Sequence, residues 1–263
     1  MNQEQSQIIS IIGAKGGVGQ TTVAINLAYK LANAYFKNVS LGLIDLNFTQ
    51  PDCSIMLKLK PENSLIDLIN SVNNLDKDLI NSCAYEITEN LKALVPPIDL
   101  LVPNQLNSQV LINILNRVQE NFPLLIIDLP KHIDESLISI LDISQFIILV
   151  TDSSIESVIS SNRWQARFND LGYNANKIIY IFNKTNKFSD TILKAIDNTN
   201  VYKINHCNLN SLATNANLLK GQASRDMALI VKDFTQFLNF PIETTPNLSF
   251  KFLPNLFKLL NQF

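Results

Sequence analysis

The sequence predicts an α/β fold built on a doubly wound, mostly parallel sheet of seven or eight strands with helices on both faces. Short runs rich in β-branched apolar residues alternate along the chain with longer, helix-like segments. Some of these runs, such as Leu124–Ile127, are apolar at every position, which is typical of strands covered on both faces. A chain of 263 residues is near the upper limit for a single core, so we expect one domain over residues 1–240 with a short appendage.

The apolar runs and the periodic segments give the order of the elements. Seven runs are predicted to be strands: Ile8–Ile12, Ser40–Leu46, Ile98–Val102, Leu124–Asp128, Phe146–Thr151, Ile178–Phe182 and Val201–Asn205. Four segments with apolar residues three and four positions apart are predicted to be helices: Thr21–Tyr35, Leu106–Asn121, Ser154–Leu171 and Ser224–Leu238. In an open sheet of this kind, ligands bind beyond the carboxyl ends of the strands.

The helix predicted over residues 154–171 is apolar on two sides. Ile155 and Ile159 share one face, whereas Trp164 and Phe168 fall on the other. Either one face is a contact surface, or it lies at the edge of the core.

The last residues, 241–263, are predicted to be a linker followed by an apolar, amphipathic tail. Pro241 and Pro246 interrupt the periodic pattern. Beyond them a stripe at helical spacing is formed by Leu253, Leu256, Phe257, Leu260 and Phe263. The tail could pack on the protein's own body or on a dimer mate, bind a partner, or lie on a membrane surface through residues 250–263.

Composition narrows the class of protein. The net charge of −2 and the presence of only four arginines disfavour general nucleic-acid binding. Three widely spaced cysteines, Cys53, Cys83 and Cys207, indicate neither a disulfide framework nor a zinc site. The sequence contains no apolar run of about 18 residues that would span a bilayer, so we expect a cytoplasmic protein, with peripheral attachment to the inner membrane face or the cell pole as an open alternative.

A glycine-rich loop is the most specific feature of the chain. Four of the seven glycines, Gly13, Gly16, Gly17 and Gly19, lie directly after the first predicted strand and before the first predicted helix. Glycines allow successive backbone N–H groups to turn toward phosphate oxygens, and the following helix adds its positive end. Thr21 stands where a hydroxyl could bind Mg²⁺. The order strand, loop, helix therefore predicts a phosphate-binding site.

The written loop resembles the deviant Walker A box of the ParA/MinD superfamily, KGGxGK[ST]. The resemblance implies bound ATP or ADP with Mg²⁺, a homodimer, and cofactor contacts from Gly13, Ala14, Lys15, Gly16, Gly17, Val18, Gly19, Gln20, Thr21 and Thr22. It also implies that Lys15 reaches the phosphates of the partner subunit and acts in catalysis. The family's later loop lysine is Gln20 here. Because a glutamine carries no charge, we expect weaker nucleotide binding and a larger loss in the transition state.

Two strand ends resemble the family's carboxylate boxes. Asp45 corresponds to the first aspartate of switch I and is a candidate catalytic residue, whereas the second aspartate is replaced by Asn47. An amide cannot act as a carboxylate base or as an anionic orienter of water. Asp128 ends a strand that resembles Walker B and, with Thr21, is the candidate Mg²⁺ ligand. Two departures in one site predict slow or absent hydrolysis.

Asn183 follows the predicted strand Ile178–Phe182, where the resemblance implies a contact with adenine. The segment from Asn205 to Asn208 and the stretch 213–222 resemble later motifs of the family. His206 and His132 are better interpreted as structural or surface residues than as catalytic ones.

Within the superfamily, the order of landmarks resembles the CpaE/TadZ branch, which is linked to assembly of Flp or type IV pili. The landmarks are the switch I segment Asp45–Phe48, the helix around Ser64–Leu68 and the Walker B segment with Asp134 and Glu135 after it. The resemblance implies an ATP-binding, dimerising factor that positions pilus or secretion machinery, with weak or absent hydrolysis. An active MinD- or ParA-type ATPase and a scaffold that binds no nucleotide are the alternatives.

Overall fold

An eight-stranded sheet forms the centre of the protein in a computed structural model that describes residues 7–36, 39–99, 107–130, 134–185, 200–207 and 218–238. The strands are β1 Gln7–Gly13, β2 Leu41–Asp45, β3 Ala84–Thr88, β4 Leu91–Leu94, β5 Leu124–Asp128, β6 Phe146–Thr151, β7 Ile178–Thr185 and β8 Val201–Asn205. The described α-helices are α1 Gln20–Tyr35, α2 Asp52–Leu57, α3 Leu65–Asn70, α4 Lys77–Ser82, α5 Ser108–Gln119, α6 Glu135–Ile143, α7 Ile155–Asp170 and α8 Gly221–Phe237.

The strand order is β3-β4-β2-β5-β1-β6-β7-β8. Neighbouring strands are parallel except β3, which pairs antiparallel with β4 at one edge. The first strand therefore lies inside the sheet, between β5 and β6, and successive strands extend from it in both directions. This is the doubly wound architecture that the sequence predicts, and it brings the carboxyl ends of β1, β2, β5 and β6 to one edge.

The sheet separates two hydrophobic layers, because successive side chains of a buried strand point to opposite faces. One layer packs under α1 and α8, and the other packs under α3, α5, α6 and α7. Ile11 and Ile126 face the first layer, whereas Ile12 and Ile127 face the second. Both faces of β1 and β5 are thus covered, which explains why their sequences are almost continuously apolar.

One predicted strand is not seen in the described residues, and one hairpin was not predicted. Ile98 and Asp99 lie in a bend, and residues 100–106 are outside the described ranges, so the predicted strand Ile98–Val102 is not seen. The edge of the sheet is formed instead by the hairpin of β3 and β4. β3 is short and only half-buried, so its sequence lacks the apolar run by which the central strands were recognised.

Helix α7 shows which of its two apolar sides belongs to the core. Trp164 and Phe168 are buried, and their rings lie 5.4 Å apart. Ile155 and Ile159 are 74% and 49% exposed. The predicted linker and tail over residues 241–263 lie outside the described residues. None of the described helices is long and apolar enough to cross a membrane.

The burial of α7 leads to a stability prediction. Phe168→Ala removes a fully buried ring and should lower the free energy of unfolding by about 3–5 kcal/mol. The matched variant Ile159→Ala, on the exposed side of the same helix, should change it by no more than about 0.5 kcal/mol. Urea denaturation of both variants tests this register of the helix, and equal effects would contradict it.

Candidate functional site

The glycine-rich loop occupies the turn between β1 and α1, at the edge where the strands end. Gly17 and Gly19 have φ values of +78° and +87°, a left-handed conformation that glycine adopts without steric cost. Gly19 is also the N-cap of α1, and the first turn of that helix carries no acidic side chain. The positive end of α1 is therefore available to an anion.

Gly19 is required for a second reason, which is the close approach of β7. A Cβ atom at residue 19 would lie 2.3 Å from the amide nitrogen of Asn183. Asn183 is buried, and its Nδ2 donates a hydrogen bond of 2.8 Å to the carbonyl oxygen of Val18. The predicted base-contacting residue thus lies directly against the phosphate loop, and its Oδ1 remains the atom suited to accept from an exocyclic amine of a base.

A cavity of about 110 Å³ opens at the loop. It is lined by Lys15, Gly17, Val18, Gly19, Gln20, Thr21, Thr22, Asn47, Asp52 and Met56. Most of the predicted phosphate-binding residues therefore share one cavity with the switch residue Asn47.

The side chain of Gln20 is buried and turned away from the loop. Its Nε2 lies 2.6 Å from Asp128 Oδ1, 2.6 Å from the carbonyl oxygen of Leu129 and 3.2 Å from that of Ile11. An amide NH₂ has two protons, so these three acceptors use its full donor capacity. Gln20 Oε1 is buried without a hydrogen-bond partner in the described part of the chain. It would lie 2.8 Å from a Cβ atom at Gly13, so this orientation of Gln20 also needs a glycine there.

Two carboxylates lie together beneath Gln20. Asp45 and Asp128 are paired residues on the adjacent parallel strands β2 and β5, and both side chains are almost completely buried. Ligand atoms of Asp45, Asp128 and Cys53 all lie within 4.8 Å of one another. The two oxygens of Asp45 accept backbone N–H bonds from Asn47 at 2.9 Å and Cys53 at 3.1 Å. Asp45 therefore organises the segment after β2, and neither Asp45 nor Asp128 lines the cavity.

Burial and mutual proximity disfavour the charged forms of these groups. Burial raises the pKa of Asp128 to about 6, although hydrogen bonds from Thr21 and Gln20 oppose the change. Burial, followed by the nearby Asp128, raises the pKa of Asp45 well above its ordinary value. Burial also raises the pKa of the Cys53 thiol. Binding of a proton or of a cation would therefore stabilise this cluster.

Lys15 lies at the rim of the loop. Its Nζ is 3.7 Å from Asp152 Oδ2, and about a third of the side chain is exposed. Asp152 follows β6 and accepts hydrogen bonds from the backbone N–H and the hydroxyl of Ser154, the N-cap of α7. Lys15 is therefore held toward α7 in this conformation. Together with Gly13 and Ala14 it lines a second cavity, of about 270 Å³, beside Arg163 and Arg167.

The structure places the predicted site residues at one edge of the sheet. Gln20 and Lys15, however, make contacts with Asp128 and Asp152 that the sequence did not predict. Thr21 lines the loop cavity and hydrogen-bonds Asp128, so the two predicted Mg²⁺ ligands lie side by side. Their oxygen donors and the raised pKa of Asp128 suit a hard divalent cation. His206 is exposed, and its backbone N–H donates to Thr185; His132 lies outside the described residues.

Sequence reasoning missed three neighbours of the site: Cys53, Asp152 and Lys184. The spacing of the cysteines indicates no disulfide framework and no zinc site, and it gives Cys53 no role; the structure buries Cys53 against both carboxylates. Asp152 directly follows an apolar strand, and Lys184 directly follows Asn183. Asp152 and Lys184 could both have been recognised as candidate site residues because each follows a predicted strand.

Comparison with protein families and sequences shows the family to which the chain belongs. A family model described as an AAA domain matches residues 6–181. The antiactivator FleN of Pseudomonas aeruginosa is 27% identical over 145 residues, which are 55% of this chain and 50% of FleN. The septum site-determining protein MinD of Thermotoga maritima is 23% identical over 177 residues, 67% of this chain and 64% of MinD. The chain thus spans about half to two thirds of the length of these relatives.

Solved structures share the fold. A ParA family ATPase from Chlorobium tepidum superposes with a TM-score of 0.73 at 20% identity, covering 89% of this chain and all of that one. MinD from Pyrococcus horikoshii, complexed with Mg-ADP, superposes with a TM-score of 0.72 at 17% identity, covering 88% of this chain and 97% of that one. The eight-stranded sheet described above is therefore the ParA/MinD type of P-loop fold.

The contact between Gly19 and Asn183 yields a prediction about the loop. Gly19→Ala should lower the free energy of unfolding by about 2–4 kcal/mol, because it combines a strained φ with a clash. Gly17→Ala has a similar φ but open space around the new Cβ, so it should cost only about 1–2 kcal/mol. Adding Asn183→Ala should restore part of the loss in Gly19→Ala and none in Gly17→Ala. Denaturation of the four variants measures this, and equal costs at residues 17 and 19 would contradict the close approach.

The buried carboxylates yield a prediction about pH. Because the folded state holds protons on Asp45 and Asp128 at pH values where the unfolded chain has lost them, stability should fall as pH rises from about 4 to about 6. Asp128→Asn should reduce this fall and, above pH 6, stabilise the protein by on the order of 2 kcal/mol. Melting curves in EDTA without nucleotide test this, with the exposed Asp78→Asn as control. A parent protein whose stability rises over this range would refute the prediction.

Proposed function

The chain belongs to the AAA domain family and to the ParA/MinD superfamily of P-loop ATPases, and on that premise we propose that it is an ATP-binding, dimerising positioning factor with weak or absent ATP hydrolysis. The observation that carries the proposal is the orientation of Gln20. The phosphate loop keeps the backbone for binding, whereas the residue at the position of the loop lysine is bound to Asp128.

Binding is supported by the features of the loop that do not depend on residue 20. Two left-handed glycines shape the turn, the N-terminus of α1 carries no competing acid, and the cavity is lined by consecutive loop residues. Backbone N–H groups and a helix N-terminus together form an anion site without a cationic side chain. We expect ATP to bind there with a lower affinity than a lysine at residue 20 would allow.

Weak hydrolysis is supported by the hydrogen bonds that Gln20 would lose if its side chain turned to a phosphate. Reaching the phosphates would break its bonds to Asp128 and to the carbonyl oxygens of Leu129 and Ile11. The Ile11 carbonyl would keep the Leu129 N–H as a donor, and Asp128 would keep Thr21. The main cost would therefore fall on the Leu129 carbonyl, because a buried acceptor left without a donor costs about 1–3 kcal/mol. Even when extended, the amide would offer a neutral hydrogen bond where the transition state of phosphoryl transfer gains most from positive charge.

Asn47 is the second support for slow hydrolysis. Its Oδ1 accepts hydrogen bonds from the hydroxyl of Thr49 at 3.1 Å and the backbone N–H of Gln50 at 3.2 Å. The side chain lines the cavity, yet its oxygen is engaged in a turn and carries no charge. It is therefore a poor orienter of an attacking water.

Thr21 and Asp128 would hold Mg²⁺ through oxygen ligands. When bound, the ion would supply positive charge that neutralises part of the charge of the phosphates. It would also balance the carboxylates beneath Gln20, which no ammonium group reaches within the described residues. The protein's own contribution is to orient Asp128 through the hydrogen bonds from Gln20 and Thr21.

Dimerisation is proposed through Lys15. In the conformation described, Lys15 lies 3.7 Å from Asp152, and both side chains are partly exposed. Such pairs contribute little, so exchanging Asp152 for the phosphates of a nucleotide bound to a second copy would cost little. We propose Lys15 as the residue that carries any residual catalysis, and Asp45 as a positioning residue that holds the segment after β2 through the backbone N–H groups of Asn47 and Cys53.

The biological role proposed is the placement of pilus or secretion machinery, after the CpaE/TadZ branch that the motif order resembles. Two relatives have names that denote regulation or placement, an antiactivator and a septum site-determining protein. An active division or partition ATPase is the second candidate, favoured by the adjacency of Thr21 and Asp128. A scaffold without nucleotide is the third, and it would show no rise in melting temperature with Mg-ATP.

The proposal predicts that charge at residue 20 limits the site. Gln20→Lys should tighten ATP binding by about tenfold or more, since hydrogen bonds to charged groups contribute about 1.5–3 kcal/mol. Gln20→Lys with Asn47→Asp should raise ATP turnover at least tenfold over the parent, and either change alone should raise it less. Gln145→Lys, the same charge change at an exposed site outside the loop cavity, is the control.

Calorimetry and phosphate release measure binding and turnover for the five proteins: the parent, the two single variants, the double variant and the control. A parent protein that already turns over ATP as fast as the double variant would overturn weak hydrolysis and favour the active ATPase. If neither parent nor Gln20→Lys binds ATP, the scaffold is the correct alternative.

A further inference from the structure

The end of β7 has an unusual backbone. Lys184 has a φ of +55°, and among the described residues only Lys58, which ends α2, is another non-glycine with positive φ. Lys184 is held there by buried neighbours, Asn183 and Thr185, and Thr185 Oγ1 donates to the carbonyl oxygen of Ile204 at 3.1 Å. A left-handed lysine costs roughly 1–2 kcal/mol, so the surrounding contacts must maintain it.

Those contacts lead to the phosphate loop. Lys184 Nζ donates a hydrogen bond of 2.6 Å to the carbonyl oxygen of Gly17, and Asn183 Nδ2 donates one of 2.8 Å to the carbonyl oxygen of Val18. Two successive residues of β7 therefore bind two successive carbonyls of a loop about 165 positions away in the sequence. Because Lys184 has a left-handed backbone conformation, its side chain and that of Asn183 both reach the same loop.

These two bonds act on peptide groups at the loop cavity, where we propose that phosphate binds. The Gly17 carbonyl and the Val18 N–H belong to one peptide unit, and the Val18 carbonyl and the Gly19 N–H belong to the next. Val18 and Gly19 both line the loop cavity. A donor on a carbonyl oxygen polarises its peptide and strengthens the N–H as a donor, and a charged donor does so more strongly.

Building on the proposed nucleotide binding, we propose that Lys184 is a positioning residue for the phosphates of ATP, acting through the Gly17–Gly19 segment. Its ammonium group holds the loop in place and makes the Val18 N–H a stronger donor, and Asn183 does the same for the Gly19 N–H. A lysine at residue 20 would supply positive potential from within the loop. The ammonium group of Lys184 supplies part of that potential from outside the loop. The aliphatic stem of Lys184 also passes over Gly19, with Cε 3.7 Å from where a Cβ would be.

The test distinguishes the effect of the Lys184 charge on phosphate binding from the effect of the side chain on the stability of the loop. Lys184→Met keeps the stem and removes the ammonium, Lys184→Arg keeps a charged donor, and Lys184→Gly removes the side chain while relieving the left-handed backbone. Lys77→Met, on the exposed helix α4, is the matched control. Dissociation constants for ATP, inorganic tripolyphosphate and adenosine are measured by calorimetry for each variant and the parent, with melting temperatures without ligand.

We expect Lys184→Met and Lys184→Gly to weaken ATP and tripolyphosphate about tenfold, the loss of one charge-assisted contact, and to leave adenosine within twofold. Lys184→Arg should retain phosphate binding within about threefold. Lys184→Gly should melt no lower than Lys184→Met, because glycine tolerates the backbone. In spectra of the free protein, the Val18 amide proton should move upfield in Lys184→Met and not in Lys77→Met.

Equal ATP binding by the parent and Lys184→Met would overturn this inference and leave the proposed function standing. So would a loss shared equally by adenosine, or a loss as large in Lys184→Arg as in Lys184→Met. A parent protein that binds neither ATP nor tripolyphosphate would overturn both proposals.

Discussion

The hydrogen bond from Gln20 to Asp128 is the interaction on which the rest of the site depends. It joins the first residue of α1 to the last residue of β5 across 108 positions of sequence, at a distance of 2.6 Å. The same amide nitrogen lies within reach of two main-chain carbonyls, so it ties helix, strand and loop at the centre of the sheet. A lysine extended to a phosphate could not serve in this way. The glutamine at residue 20 thus has two consequences: its side chain links α1 to β5, and it places no positive charge beside a bound phosphate.

The carboxylates beneath this bond follow from the register of the sheet. Asp45 and Asp128 are partners on parallel strands, so their side chains necessarily point to the same face. Burial removes them from water, and in the described residues the nearest compensation is neutral: the Gln20 amide, the Thr21 hydroxyl and backbone N–H groups. Such a site has a stronger need for a proton or a divalent cation than one with an ammonium group nearby. Magnesium is therefore expected to matter for stability as well as for nucleotide binding.

Positive charge remains around the loop but not at its centre. Lys15 is turned to Asp152 at the start of α7, and Lys184 is turned to the carbonyl of Gly17 from the end of β7. Ground-state binding draws on backbone N–H groups and the helix end, which are intact. Stabilisation of a transition state needs cations at the transferring phosphoryl group. This division gives a physical basis for the proposed combination of ATP binding with weak hydrolysis.

What the sequence determined by itself is local. Continuous apolar runs identified β5 and β6 to the residue, because burial on both faces demands apolar residues. Clustered glycines between a strand and a helix identified the phosphate loop with Thr21 beside it, because a close approach of the backbone demands glycine. Only the tertiary structure decided where the long side chains turn. The direction of Gln20, the pairing of Lys15 with Asp152, the place of Cys53 and the contact of Lys184 with Gly17 depend on partners from other elements, most of them far away in sequence. The hairpin of β3 and β4 escaped prediction because β3, at the edge of the sheet, is only partly buried and β4 has only four residues, so neither leaves a long apolar run in the sequence.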